Sequence, residues 1–136
     1  MAASVIVDAS FLVAILDRRD NNHRWANARA LQYPPPWHTC EAAISETLFL
    51  LGPNGISSAT ALLRRGPIVA SFHFSDSTEE VFALMQKYSD VPMSFADACL
   101  VRMTEMLTDP LLLTTDNDFR IYRRHSRQTV PYLMPH

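Results

Sequence analysis

At 136 residues, with 48% hydrophobic and 19% charged side chains, the chain can bury one core but not two, so one domain over residues 1–136 is expected. Its net charge of −2 excludes a generic coat for polyanions, because nonspecific phosphate binding needs a basic face. Its apolar runs fall short of the roughly 18 residues that cross a bilayer and its start lacks a basic leader region, so a cytoplasmic protein with no membrane partner is expected.

In chain order, Ser4–Asp8 reads as a buried strand with Asp8 at its carboxyl end. Ser10–Asp17 follows as a helix with Ser10 as N-cap, and Asn22–Leu31 as a second helix. Tyr33-Pro34-Pro35-Pro36 must interrupt the helix and reads as a connector. Trp37–Cys40 is a short strand, and Glu41–Leu51 a helix ended by Gly52-Pro53. A short helix over Ile56–Arg65 stops at Gly66-Pro67, and Ile68–Phe72 then alternates as a strand. Ser77 and Glu80 have capping-box spacing ahead of a helix carrying Val81, Leu84, Met85 and Tyr88. Ser94–Leu107 is apolar on most of its circumference and reads as a buried helix. Leu111–Thr115 is the clearest buried strand, ended by Asp116, with a short helix near Asn117–Tyr122 and a last strand around Thr129–Tyr132.

This alternation predicts an α/β fold: a three-layer α/β/α domain with a mainly parallel sheet of about five strands. Ligands of such sheets bind outside the carboxyl ends of the strands, where Asp8 and Asp116 fall. Glu46 and Asp97 sit in apolar helical stretches, where an unpaired charge is costly. Taken singly, each acid has an ordinary reading. Asp8 and Asp116 suit helix starts, Asp97 is the third residue of a Ser94 capping box, and Glu46 shares a polar stripe with Glu41 and Ser45. Gathered at one sheet edge, the four could not all stay ionised without a cation or strong hydrogen bonds. Oxygen-only ligation selects a hard ion, Mg²⁺ or Mn²⁺.

The remaining chemistry-bearing residues narrow the choice. Cys40 and Cys99 lack paired spacing and read as reduced packing residues, and the five histidines are scattered. Three glycines cannot build a P-loop or a dinucleotide fingerprint, and Lys87, the only lysine, is misplaced for phosphoaspartyl chemistry. Residues 1–116 carry 8 basic and 13 acidic side chains, a net −5, whereas 117–136 carry 4 and 1, a net +3. Arg120, Arg123, Arg124 and Arg127 therefore follow Asp116 as either a solvated helix face or a hold for a phosphate backbone.

Four segments carry a resemblance to the PIN domains, in particular to the toxin ribonucleases of prokaryotic toxin–antitoxin pairs. Ser4-Val5-Ile6-Val7-Asp8-Ala9-Ser10-Phe11-Leu12 looks like that family's opening strand, Ser45-Glu46-Thr47-Leu48 its helix acid, Phe95-Ala96-Asp97-Ala98 its third motif and Leu113-Thr114-Thr115-Asp116-Asn117-Asp118-Phe119 its fourth. The resemblance implies Asp8, Glu46, Asp97 and Asp116 as catalytic and metal-binding acids, with Ser10 and Thr114 supporting them and Asp118 as an auxiliary. It also implies an RNA substrate, Mg²⁺ or Mn²⁺ as cofactor and an antitoxin partner. The function expected is metal-dependent endonucleolytic hydrolysis of RNA; the alternative is a PIN-like module that binds RNA or protein without cutting. Leu48-Phe49-Leu50-Leu51 holds more apolar side chains than one buried face needs, which suggests a homodimer interface, a groove for an antitoxin helix, or burial on both sides.

Overall fold

The computed structural model describes residues 3–136. Its strands are β1 (Ser4–Val7), β2 (Trp37–Thr39), β3 (Ile68–Ala70), β4 (Pro110–Leu113), the short pair β5 (Arg123–Arg124) and β6 (Gln128–Thr129), and β7 (Tyr132–Leu133). Five of them form one sheet in the order β3-β2-β1-β4-β7, and every neighbouring pair is parallel. The helices are α1 (Ala9–Leu16), α2 (His23–Gln32), α3 (Glu41–Leu51), α4 (Ile56–Arg64), α5 (Thr78–Lys87) and α6 (Phe95–Met106). The α/β/α architecture expected from the alternating pattern is the one observed.

The continuous apolar runs of β1 and β4 follow from burial on both faces. In register, Ile6 lies opposite Leu112 and Val7 opposite Leu113. Successive side chains then point to opposite layers. Val5, Val7 and Leu113 pack with Phe11, Leu12, Ala26 and Trp37 on one face. Ile6 and Leu112 pack with Val81, Leu100, Met103, Phe119 and Tyr122 on the other. Both cysteines are free and buried in that second layer. Among the described residues, no helix is long and apolar enough to cross a membrane.

Several local expectations give way to tertiary context. Asp8, not Ser10, caps α1, and Ser10 lies inside the helix with its hydroxyl turned back to Asp8. The Ser77–Glu80 box does not close: Ser77 Oγ accepts from Arg102 Nε at 3.0 Å, and Glu80 pairs with the same arginine at 3.6 Å. The helix predicted over Asn117–Tyr122 is a 3₁₀ turn over Asn117–Arg120. The last strand is two strands: β6 turns back on β5, and after Val130-Pro131 the chain joins the main sheet as β7, with the Pro131 carbonyl accepting from Leu112 N–H at 2.9 Å.

Candidate metal centre at the carboxyl edge of the sheet

From β1 the chain moves outward to β2 and β3, and the crossover through α5 and α6 returns it to β4 on the opposite side of β1. The carboxyl ends of β1 and β4 therefore flank the topological switch point, the crevice where open α/β sheets bind ligands.

Asp8 forms the floor of this crevice and is buried. Its Oδ1 accepts from Ser10 Oγ at 2.7 Å and from Phe11 N–H at 2.9 Å, and its Oδ2 accepts from Thr114 Oγ1. The two hydroxyls also receive backbone donors from the loop after β4: Thr115 N–H reaches Ser10 Oγ and Asp116 N–H reaches Thr114 Oγ1, both at 2.9 Å. One carboxylate thus ties the start of α1 to the loop carrying Asp116. Burial pushes Asp8 up to about 6, against the lowering pull of these hydrogen bonds.

Asp97 enters from the first turn of α6. Its N–H donates to Ser94 Oγ at 3.0 Å, completing the cap with the backbone and leaving the carboxylate for other use. Asp97 Oδ2 accepts from Tyr122 OH at 2.9 Å. Burial raises Asp97 to about 7, opposed by the tyrosine hydrogen bond and reinforced by the charges of Asp116, Asp8 and Glu46. Burial and Asp97 together hold the Tyr122 phenol protonated well above its ordinary range.

Asp116 caps the 3₁₀ turn, its Oδ1 accepting from Asp118 N–H at 2.9 Å. That turn swings Asp118 inward, and one carboxylate oxygen from each of Asp97, Asp116 and Asp118 lies within 4.8 Å of the others. Asp116 is raised by burial first and by the Asp118 charge as well. Glu46 stays exposed on α3, with its carboxyl raised by partial desolvation and by Asp116. It stands at the rim of the cluster. The donor set fits a hard divalent cation, since it consists of oxygens alone and burial and crowding raise the Asp97 carboxyl, whose proton a cation would displace.

The four arginines do not share one face. Arg120 ends the 3₁₀ turn, with Nε on Asn117 Oδ1 at 3.2 Å and its guanidinium 5.7 Å from the Tyr132 ring centroid. Arg123 folds onto its own backbone, Nη1 donating to the carbonyls of Arg120, Ile121 and Tyr122. Arg124 and Arg127 belong to the β5–β6 hairpin, which is held to the far end of α6 by His125 N–H on Glu105 Oε2 at 2.7 Å. Glu105 is eight residues from Asp97, roughly 12 Å along the helix axis. Sequence reasoning missed Tyr122; a buried aromatic after a turn carries no local sign that its hydroxyl meets an acid 25 residues earlier.

The family profile of the PIN domain matches residues 5–124. The fold is similar to that of VapC20 of Mycobacterium tuberculosis, described as a Sarcin-Ricin loop cleaving toxin, with a TM-score of 0.71, 22% identity, and coverage of 85% of this chain and 92% of that one. No curated protein is significantly similar in sequence.

Proposed function

The chain belongs to the PIN domain family, and we propose that it is a divalent-metal-dependent endoribonuclease, the toxin component of a toxin–antitoxin pair. The observation that carries the proposal is the convergence of Asp97, Asp116 and Asp118 at the switch point of the sheet. In this reading these three acids, with Glu46 at the rim, hold Mg²⁺ or Mn²⁺. Asp8 is the fixed acid beneath them, kept in place by Ser10 and Thr114. A bound divalent ion would lower the pKa of an attacking water and offset charge building on the scissile phosphate. Tyr122 orients the Asp97 carboxylate through its hydroxyl. Arg120, at the end of the turn that carries Asp118, holds the RNA backbone, whereas Arg123, turned onto its own backbone, and Arg124 and Arg127, on the hairpin at the far end of α6, do not extend that contact. The resemblance to a toxin that cleaves an RNA loop supports RNA as substrate and an antitoxin as partner, and the exposed Phe49-Leu50 face supports a homodimer.

The test is incubation with structured and unstructured RNAs in Mg²⁺, in Mn²⁺ and in chelator, beside Asp97→Asn. Cuts that need the metal, and that fall by about two orders of magnitude or more in the variant, are expected. Cleavage by Asp97→Asn at the parent rate would overturn the assignment, and binding without cutting by the parent would make the protein a recognition module.

A further inference from the structure

Two buried tyrosines stand behind the acids of the cluster. Tyr122 follows the 3₁₀ turn, and its hydroxyl donates to Asp97 Oδ2 at 2.9 Å while its N–H donates back to the Asp118 carbonyl at 3.3 Å. Its ring meets that of Phe119, inside the turn, edge to face with centroids 5.3 Å apart. One residue thus joins α6 to the turn that carries Asp116 and Asp118. Tyr88 backs it from the carboxyl end of α5, where its own N–H donates to the Leu84 carbonyl at 3.0 Å. The Tyr88 ring meets Tyr122 edge to face at 5.3 Å, and its hydroxyl accepts from Arg123 N–H at 2.9 Å. The neighbouring Lys87 has its Nζ 5.3 Å from the Tyr88 ring centroid and donates to the Ser126 carbonyl at 2.8 Å, so this helix end is tied to the β5–β6 hairpin as well.

We propose that Tyr88 is a positioning residue of the cation site: it fixes the ring and backbone of Tyr122, and through Tyr122 it sets how far Asp97 stands from Asp116 and Asp118. This role rests on the metal-dependent reading of the cluster and adds what holds its acids in register. Packing alone does not call for a hydroxyl at residue 88, since phenylalanine would fill the same space and meet Tyr122 in the same way. A buried phenol needs a hydrogen-bond partner, and the partner here is the backbone N–H of the residue next to Tyr122. Tyr122 is fully buried between Tyr88 and Phe119, so its ring cannot tilt without displacing one of them. Any shift at residue 122 reaches both halves of the site, Asp97 through the hydroxyl and Asp118 through the N–H. Small hard cations tolerate only tenths of an ångström in their oxygen distances, so such a shift is felt as affinity.

The experiment uses the full chain free of metal, with Tyr88→Phe keeping the ring and removing only the hydroxyl. Amide exchange at Phe119, Ile121 and Tyr122, followed residue by residue by NMR, should rise roughly fivefold, while amides of β1 and β4 keep parental rates. Mn²⁺ affinity by calorimetry should fall roughly threefold in Tyr88→Phe and roughly fivefold in Tyr122→Phe. Because Tyr88 acts through Tyr122, the double variant should bind about as well as Tyr122→Phe, instead of showing the product of the two losses. Ala26→Gly on α2, in the opposite layer, is the control: it should lower Tm by a similar few degrees and leave both the exchange of the turn and the Mn²⁺ affinity as in the parent. Parental Mn²⁺ affinity in Tyr88→Phe would overturn the role, whatever its exchange. An equal loss of affinity in Ala26→Gly would also overturn it, leaving Tyr88 a contributor to general stability, and so would losses that multiply in the double variant. If the parent takes up no Mn²⁺, the metal reading fails, and exchange at residues 119–122 alone then decides whether Tyr88 holds the turn.

Discussion

Asp8 and Asp97 occupy the same edge of one sheet, are both buried, and live in opposite surroundings. Asp8 receives two hydroxyls and one backbone N–H, which offset part of the cost of burying its charge. Asp97 receives one phenol and feels Asp116, Asp8 and Glu46 as like charges. The difference separates two settings for a carboxylate: one ties neighbouring elements together through hydroxyl and backbone donors, and the other, with a single neutral donor among like charges, has the surroundings that the proposed cation site requires.

The largest effect should fall on activity. Asp116→Asn keeps an oxygen able to cap Asp118 N–H, so the protein should fold and melt normally while losing about two orders of magnitude in kcat. An Asp116→Asn protein with parental turnover would erase the distinction between assembling and working acids. Next comes stability. Asp8→Ala strands the donors of Ser10, Phe11 and Thr114 and should cost about 2–3 kcal/mol in denaturant unfolding. If Asp8→Ala unfolds like the parent, Asp8 does not organise the crevice.

A smaller effect concerns pH. Asp8 is raised to about 6 and Asp97 to about 7 from 3.8, so between these values the folded protein holds protons that the unfolded chain has released. Their protonation therefore favours folding: the contribution is complete below about 3.8 and is lost as pH rises through 6 and 7. In chelator the melting temperature should fall by a few degrees between pH 5 and pH 8, and Asp97→Asn should flatten that slope and melt above the parent at pH 8. A melting temperature that rises with pH over this range would contradict the crowded-acid picture. The smallest effect is expected of Tyr122→Phe, which removes a hydrogen bond that lowers Asp97. It should cost about 1 kcal/mol of stability and move the acidic limb of the pH–rate profile upward by less than about one unit, read from kcat/KM against pH.

What could be read from the sequence followed from short-range rules. Strands buried on both faces leave continuous apolar runs, so Val5-Ile6-Val7 and Leu111-Leu112-Leu113 located the sheet centre and, at their ends, Asp8 and Asp116. The capping readings of Asp8, Asp97 and Asp116 and the idea of one acidic site turned out compatible. Asp97 caps with its backbone and leaves its carboxylate to Tyr122 and the cluster, and Asp116 caps with one oxygen. Long-range geometry was out of reach. Whether residues 117–122 wind as α or 3₁₀ decides that Asp118 joins Asp97 and Asp116, and neighbouring residues do not settle that choice. The hairpin that carries Arg124 and Arg127 to the far end of α6 depends on Glu105, twenty residues before His125. Ser77 was drawn from its capping role by Arg102, which sits on another helix.

Whether Asp97, Asp116 and Asp118 together take a divalent cation can be decided by calorimetric titration of Mn²⁺ into metal-free protein near pH 7, beside Asp97→Asn. Saturable binding by the parent is expected, with release of protons to the buffer as a cation displaces the proton on an acid raised to about 7, and binding weakened by about tenfold or more in the variant. No heat of binding in the parent, or equal affinity in Asp97→Asn, would contradict it.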